Sequence, residues 1–215
     1  MNRTELGNVM KFLKSEYLSE CTGHDWYHLE RVKDLSRIIA MKENVTNLHI
    51  VELAALLHDI PDEKLNSSKE AGDEKLEKII SSLSLTLKEK GQLISIIYSI
   101  SFKGGNEAPL TSLEAKVVRD ADRLDSIGAI GIARAFAYGG YKGQPIYDPN
   151  ISVRKEMTVE EYRNGKSSSI HHFYEKLLRI KDLMCTETGR QLAEERHTYM
   201  LQFLEQFYKE WNGQE

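Results

Sequence analysis

Cysteine and proline are scarce in this chain, and long apolar runs are missing altogether. Its 215 residues hold two cysteines, Cys21 and Cys185, and four prolines. Two widely separated thiols have neither the spacing of a structural zinc site nor the number a disulfide framework needs, so both read as reduced side chains. So few prolines leave room for long helices. No apolar stretch approaches membrane-spanning length, and the polar start Met1-Asn2-Arg3-Thr4-Glu5 lacks signal-peptide character. The expectation is a cytoplasmic protein without a membrane partner. Neither sign of charge dominates: a formal net charge of −4 gives no global reason to expect extended nucleic-acid binding.

What is present suits a folded, soluble protein: 40% hydrophobic and 29% charged residues, with length for one substantial core. The apolar spacing is helical nearly throughout. Val9, Phe12, Leu13 and Tyr17 form the stripe of a first helix, and Leu29, Val32, Ser36 and Ile39 that of a second. Asn47 can cap a third, running through Leu53, Ala54, Leu56 and Leu57, before Pro61 forces a break. Thr86-Leu87-Lys88-Glu89 and Thr111-Ser112-Leu113-Glu114 read as capping boxes. Thr186 to Trp211 reads as a long terminal helix with Leu192, Met200, Leu201, Leu204 and Phe207 among its apolar positions. Segments 62–72 and 138–150 read as the best candidates for mobile loops, the second carrying Gly139, Gly140 and Gly143 around Lys142. No period-two alternation, internal repeat or Pro- or Ser-rich linker appears. The reading is all-α, one domain over 1–215.

Chemistry concentrates in three places: His24-Asp25-Trp26-Tyr27-His28, then His58-Asp59-Ile60-Pro61-Asp62-Glu63, then Asp120-Ala121-Asp122-Arg123-Leu124-Asp125. An adjacent His and Asp make poor core residues, because each needs a polar partner once removed from water. A shared divalent ion is such a partner. Two imidazoles with two carboxylates and no thiolate favour a catalytic first-row metal over a closed structural zinc site. His24 precedes His28 by four residues, so the two share a face if the helix starts that early. For the distal carboxylate, helix geometry puts Asp120 and Asp122 about 200° apart, so both should not face one ion, while Asp122 and Asp125 share a side. Phase alone leaves the choice open.

The ordered set resembles the HD superfamily of metal-dependent phosphohydrolases, whose pattern is H…HD…D, and most closely a subgroup of small single-domain bacterial members. The resemblance also takes in Gly23-His24-Asp25-Trp26, Gly128-Ala129-Ile130-Gly131 and His172-Phe173-Tyr174-Glu175-Lys176-Leu177. It implies an HD-type helical bundle with its metal-site core at about 20–130, the C-terminal helices completing it. It implies one divalent ion, manganese in first place and Co, Ni, Fe, Zn or Mg as the other choices, held by His28, His58, Asp59 and Asp122. Asp120 is then left to a surface or capping role and Asp125 to the surroundings of the site. Asp62, three residues after the HD aspartate, takes the acid–base role, with Glu63 as its neighbour. His24, Lys103, Arg123, Lys142 and Lys176 are the candidates for substrate contacts, since phosphate esters call for cationic neutralisation, and His24 reads equally as a group supporting the metal ligands or as a structural cap. Arg119 reads as a solvated charge or a phosphate contact. The implied activity is hydrolysis of a small phosphorylated metabolite, a nucleotide in first place. The rival readings are a non-catalytic sensor of nucleotide or metal and an all-α scaffold. The number of copies in the working assembly is not legible.

Overall fold

The computed structural model describes residues 3–18, 23–63, 65–100, 110, 112–154 and 165–214. Among these every regular element is helical. Nine α-helices follow in order: α1 (Arg3–Tyr17), α2 (Trp26–Lys42), α3 (Leu48–Leu57), α4 (Lys69–Ser82), α5 (Leu87–Ile100), α6 (Leu113–Asp125), α7 (Gly128–Tyr141), α8 (Ser169–Glu175) and α9 (Glu187–Trp211). A 3-10 helix, Leu177–Leu183, lies between the last two. The helices gather into two compact units, Met1–Asp122 and Arg123–Glu215.

In the first unit α2 packs on α1 and α3, and α3 on α5. The middle helix of this set is α3, which is buried from Ile50 through Leu57. Its sequence, LHIVELAALL, is apolar on nearly every face, and such a helix is stable only when surrounded. Each large aliphatic side chain buried there contributes about 1.5–3 kcal/mol. The one charge inside that stretch, Glu52, accepts a hydrogen bond from Arg37 Nη1 at 2.8 Å. Because α3 is fully enclosed, its C-cap residue His58 emerges at the inner edge of the core.

In the second unit α9 packs on α7 and the 3-10 helix, and α8 on both of those. Phe173 and Phe203 stack at 5.7 Å, with Phe136 edge-on to Phe203 at 5.9 Å. Entry into α7 requires glycine twice. Gly128 has φ +74°, and a Cβ at Gly131 would run into the carbonyl of Ser126.

Several local expectations shift. Val9, Leu13 and Tyr17 are buried on α1, but Phe12 stays 40% exposed, beside Lys75 of α4. Thr86 and Glu89 form the reciprocal capping box, whereas at α6 the cap moves to Ser112, whose Oγ accepts from Ala115 N at 3.1 Å. Thr111 lies outside the described residues. Glu114 is thereby freed to accept from Gln92 Nε2 at 3.3 Å. Asn47 takes its cap position without a side-chain bond. Neither candidate loop is wholly a loop. Ser68 caps α4 and brings 69–72 into that helix, and α7 runs on to Tyr141, so the unusual backbone of the second segment narrows to Gly143 at φ +66°.

Candidate metal centre

Three helices of the first unit carry the candidate donors. His28 lies in the first turn of α2, whose start is fixed by Asp25: its Oδ1 accepts from His28 N at 2.8 Å. His58 and Asp59 follow α3, at the turn that Pro61 enforces. Asp122 lies on α6. The His28 ring is fully buried and that of His58 almost so, and the two imidazoles meet edge-on with centroids 5.5 Å apart.

The donor atoms converge. Asp59 Oδ2 lies 3.3 Å from His28 Nε2, and Asp59 Oδ1 lies 3.2 Å from His58 Nε2. Asp122 Oδ1 stands 3.6 Å from both Nε2 atoms. Ligands about 2.1 Å from one ion are roughly 3.0–3.4 Å apart in octahedral or tetrahedral arrangements, so these separations are close to those of a coordination sphere. His58 supplies a sharper test. Its Nδ1 donates to the carbonyl of Ala55 at 2.8 Å, so in the neutral ring the lone pair falls on Nε2. That buried Nε2 makes no hydrogen bond of acceptable geometry, as befits an atom placed to ligate. Two imidazoles and two carboxylates without sulfur suit a divalent first-row metal.

Electrostatics agree. Burial by itself would lower the His58 pKa, but Asp59 and Asp122 outweigh it and raise it to about 10. Burial likewise works against ionising Asp59, yet His58 and His24 hold that carboxyl well below its ordinary range. Asp122 is lowered in the same way, chiefly by His58. The pocket therefore favours positive charge at its centre.

The other predicted residues lie as follows. Helix α2 begins at Trp26, so His24 sits on the lead-in rather than on the His28 face; its Nδ1 donates to Asp59 Oδ2 at 2.8 Å. Asp62 is half-buried on the turn after Asp59, its backbone N bonded to the Asp59 carbonyl at 3.0 Å, and Glu63 is exposed. Asn66 Nδ2 ties that turn down by donating to the carbonyls of Ile60 and Asp62. Asp120, expected at the surface or in a cap, is fully buried, because the second half of α6 is enclosed on all sides except near Asp122. Arg119, expected as a solvated charge, is also buried and donates to the carbonyl of Ser99. In the second unit Asp125 pairs with Arg134 at 2.7 Å, and Arg123 Nη1 donates to Leu183 O at 2.5 Å. Lys142 caps α7 with its Nζ 5.7 Å from the rings of Tyr138 and Tyr141. Lys176 is half-buried after α8, and Lys103 lies outside the described residues. Sequence reasoning missed the Ala55 carbonyl, although an acceptor three residues before a helix-terminal histidine is a signal that needs no side chain. A groove of about 480 Å³ between α1 and α4, lined by Val9, Phe12, Ile79 and Leu83 among others, contains none of these donors.

Comparison with known proteins bears on the same residues. The HD domain family matches residues 25–127, a span holding His28, His58, Asp59 and Asp122. The protein YpgQ of Bacillus subtilis is 39% identical over 208 residues, covering 95% of this chain and 93% of its own. A crystal structure of YpgQ in complex with ADP superposes with a TM-score of 0.76 at 38% identity, covering 95% of this chain and 97% of that one. The crystal structure of an HD-superfamily hydrolase from Bacillus thuringiensis does so with a TM-score of 0.79 at 43% identity and 99% coverage of both chains. Likeness at this level, carried across nearly the whole length, fixes the family: the chain belongs to the HD superfamily and has its hydrolase fold.

Proposed function

We propose that this chain is a cytoplasmic, divalent-metal-dependent phosphohydrolase acting on a small phosphorylated metabolite, a nucleotide in first place and with manganese as its working ion. The observation that carries the reading is the close approach of His28, His58, Asp59 and Asp122, with 3.2–3.6 Å between neighbouring donor atoms and His58 Nδ1 tied to the Ala55 carbonyl. The ADP bound to the related B. subtilis protein supports a nucleotide.

The chemistry such an ion supplies is Lewis acidity, which polarises a phosphoryl oxygen and acidifies a water molecule. The chain's own groups do the rest. His28 and His58 would hold the ion through nitrogens that give up their proton as it binds, and Asp59 and Asp122 would bring two negative charges that offset the ion's. Asp62, on the tethered turn after Asp59, accepts the proton that the attacking water gives up. Basic side chains, with Lys103, Arg123, Lys142 and Lys176 as candidates, neutralise the phosphate as charge shifts to the leaving group.

The test is reconstitution. The metal-stripped chain is loaded in turn with Mn, Co, Ni, Zn or Mg and assayed against nucleoside mono-, di- and triphosphates, alarmones and cyclic dinucleotides. Metal-dependent phosphate release is expected, and Asp62→Asn should lower kcat by roughly 100-fold or more while changing metal content far less. A wild type that binds nucleotide but hydrolyses nothing on that panel would establish the sensor instead. An Asp62→Asn variant with wild-type turnover would remove Asp62 from the mechanism.

A further inference from the structure

His24 stands apart from the other imidazoles of the centre in how the chain holds it. His28 is on a helix and His58 ends one, but His24 lies on a short lead-in between Gly23 and the N-cap Asp25. Gly23 has φ +97°, a conformation that a residue with a Cβ adopts only under strain. Asp25 locks the following turn through its bond to His28 N. Between these two fixed points the His24 ring is set with Nδ1 2.8 Å from Asp59 Oδ2, and 5.6 Å from the His28 ring, edge-on.

Asp59 needs such a partner. The torsion that turns a carboxylate about its last bond is broad, so the backbone alone does not fix the plane of the group. Its two oxygens have separate tasks here: Oδ1 faces His58 Nε2 at 3.2 Å, and Oδ2 faces His28 Nε2 at 3.3 Å. A strong donor on one edge fixes both directions at once. We propose that His24 is a positioning residue, whose Nδ1–H donates to Asp59 Oδ2 and holds the carboxylate plane in the orientation that metal binding needs.

The donors of His24, His28 and Asp59 lie within 4.8 Å of one another, so a direct ligand role for His24 is the competing assignment. The 2.8 Å contact favours a donor role for Nδ1 over ligation through that atom. With its proton on Nδ1, facing the carboxylate, the ring has no lone pair on that atom, and ligation by His24 would have to come from Nε2. The inference rests on the metal-centre reading above and deepens it.

Asparagine separates the two roles, because its Nδ2 falls close to where a histidine Nδ1 lies and can donate to the same oxygen. Mn and Co affinities of the metal-free wild type, His24→Ala and His24→Asn are measured by competition titration, with the visible absorption of bound Co(II) recorded for each. His24→Ala should bind roughly 10–100-fold more weakly, the usual effect of losing a group that orients a ligand. His24→Asn should recover most of that loss and show the Co(II) spectrum of wild type. Circular dichroism and melting of the metal-free forms separate lost positioning from lost folding. His24→Ala binding as tightly as wild type overturns the proposal. So does failure of His24→Asn to recover binding, or a changed Co(II) spectrum in that variant, which would make His24 a ligand. A wild type that binds neither ion overturns the metal centre itself, and this inference with it.

Discussion

An ion that binds only the folded chain must stabilise it, and the size of the effect follows from mass action. At a free concentration 100 times its Kd, the gain is about 2.7 kcal/mol. Unfolding entropy of about 2.1 cal/mol/K per residue amounts, over 215 residues, to roughly 0.45 kcal/mol/K. The expected rise in Tm is then about 6 °C. If the first unit, 122 residues ending at Asp122, melts by itself, the same gain is spread over less entropy and the rise is about 10 °C. Asp59→Asn is the informative perturbation. It keeps the volume of a side chain lying within 3.3 Å of three imidazoles and replaces one anionic oxygen by an amide nitrogen that cannot ligate. With an affinity about 100-fold weaker, the stabilisation at the same ion concentration falls to about 0.4 kcal/mol, or about 1 °C. The assay is scanning calorimetry of each protein with and without Mn. Taking the difference within each protein removes whatever the substitution costs the fold. An Asp59→Asn variant whose Tm rises as far as that of wild type would refute the ligand set, and no rise in either would refute the site.

Further outcomes are expected at residues around and beyond the centre. Asp122→Asn should weaken Mn binding sharply, whereas Asp120→Asn, buried as it is, should cost stability and leave metal per folded molecule unchanged in a titration; the reverse order would reassign the carboxylate. Gly131→Ala should destabilise by roughly 2 kcal/mol or more in urea, since the new Cβ meets the Ser126 carbonyl rather than a yielding side chain, and a neutral effect would contradict that packing. Burial, with Lys176 and Arg154 nearby, lowers the His172 pKa to about 4 from an ordinary 6.5. Because the unfolded chain then takes up the proton first, this contribution is present above pH 6.5 and lost as pH falls towards 4, about 1–2 kcal/mol between pH 7 and 5. His172→Gln should flatten that part of the urea stability profile, and an unchanged slope would show the ring is not held neutral.

Much of this molecule was legible because helix formation and burial share one period. Leu29, Val32, Ser36 and Ile39 line the inner face of α2 as their spacing predicts, and Pro61 ends the α3 region where its ring demands. The order of the motif named His28, His58, Asp59 and Asp122, whose side chains the fold brings near one another. What stayed hidden depended on partners far along the chain. Nothing near Arg119 in sequence announces that Ser99 will offer a carbonyl, and nothing near Asp120 announces burial from every side. For His24 the sequence left the partner open: the helix starts two residues too late for His24 and His28 to share a face, and the contact with Asp59 is a tertiary event.

The four converging side chains are graded in their access to water: His28 is 0% exposed, His58 3%, Asp59 13% and Asp122 36%. That gradient gives the centre a floor and a mouth. For an ion held as proposed, Asp122 would be the donor nearest to solvent and the imidazoles the donors farthest from it. Charge at Asp122 would then bear most directly on how fast such an ion passes to a chelator. Two sites of equal affinity but opposite gradient would differ in lifetime, and chelator-driven release followed over time would tell them apart.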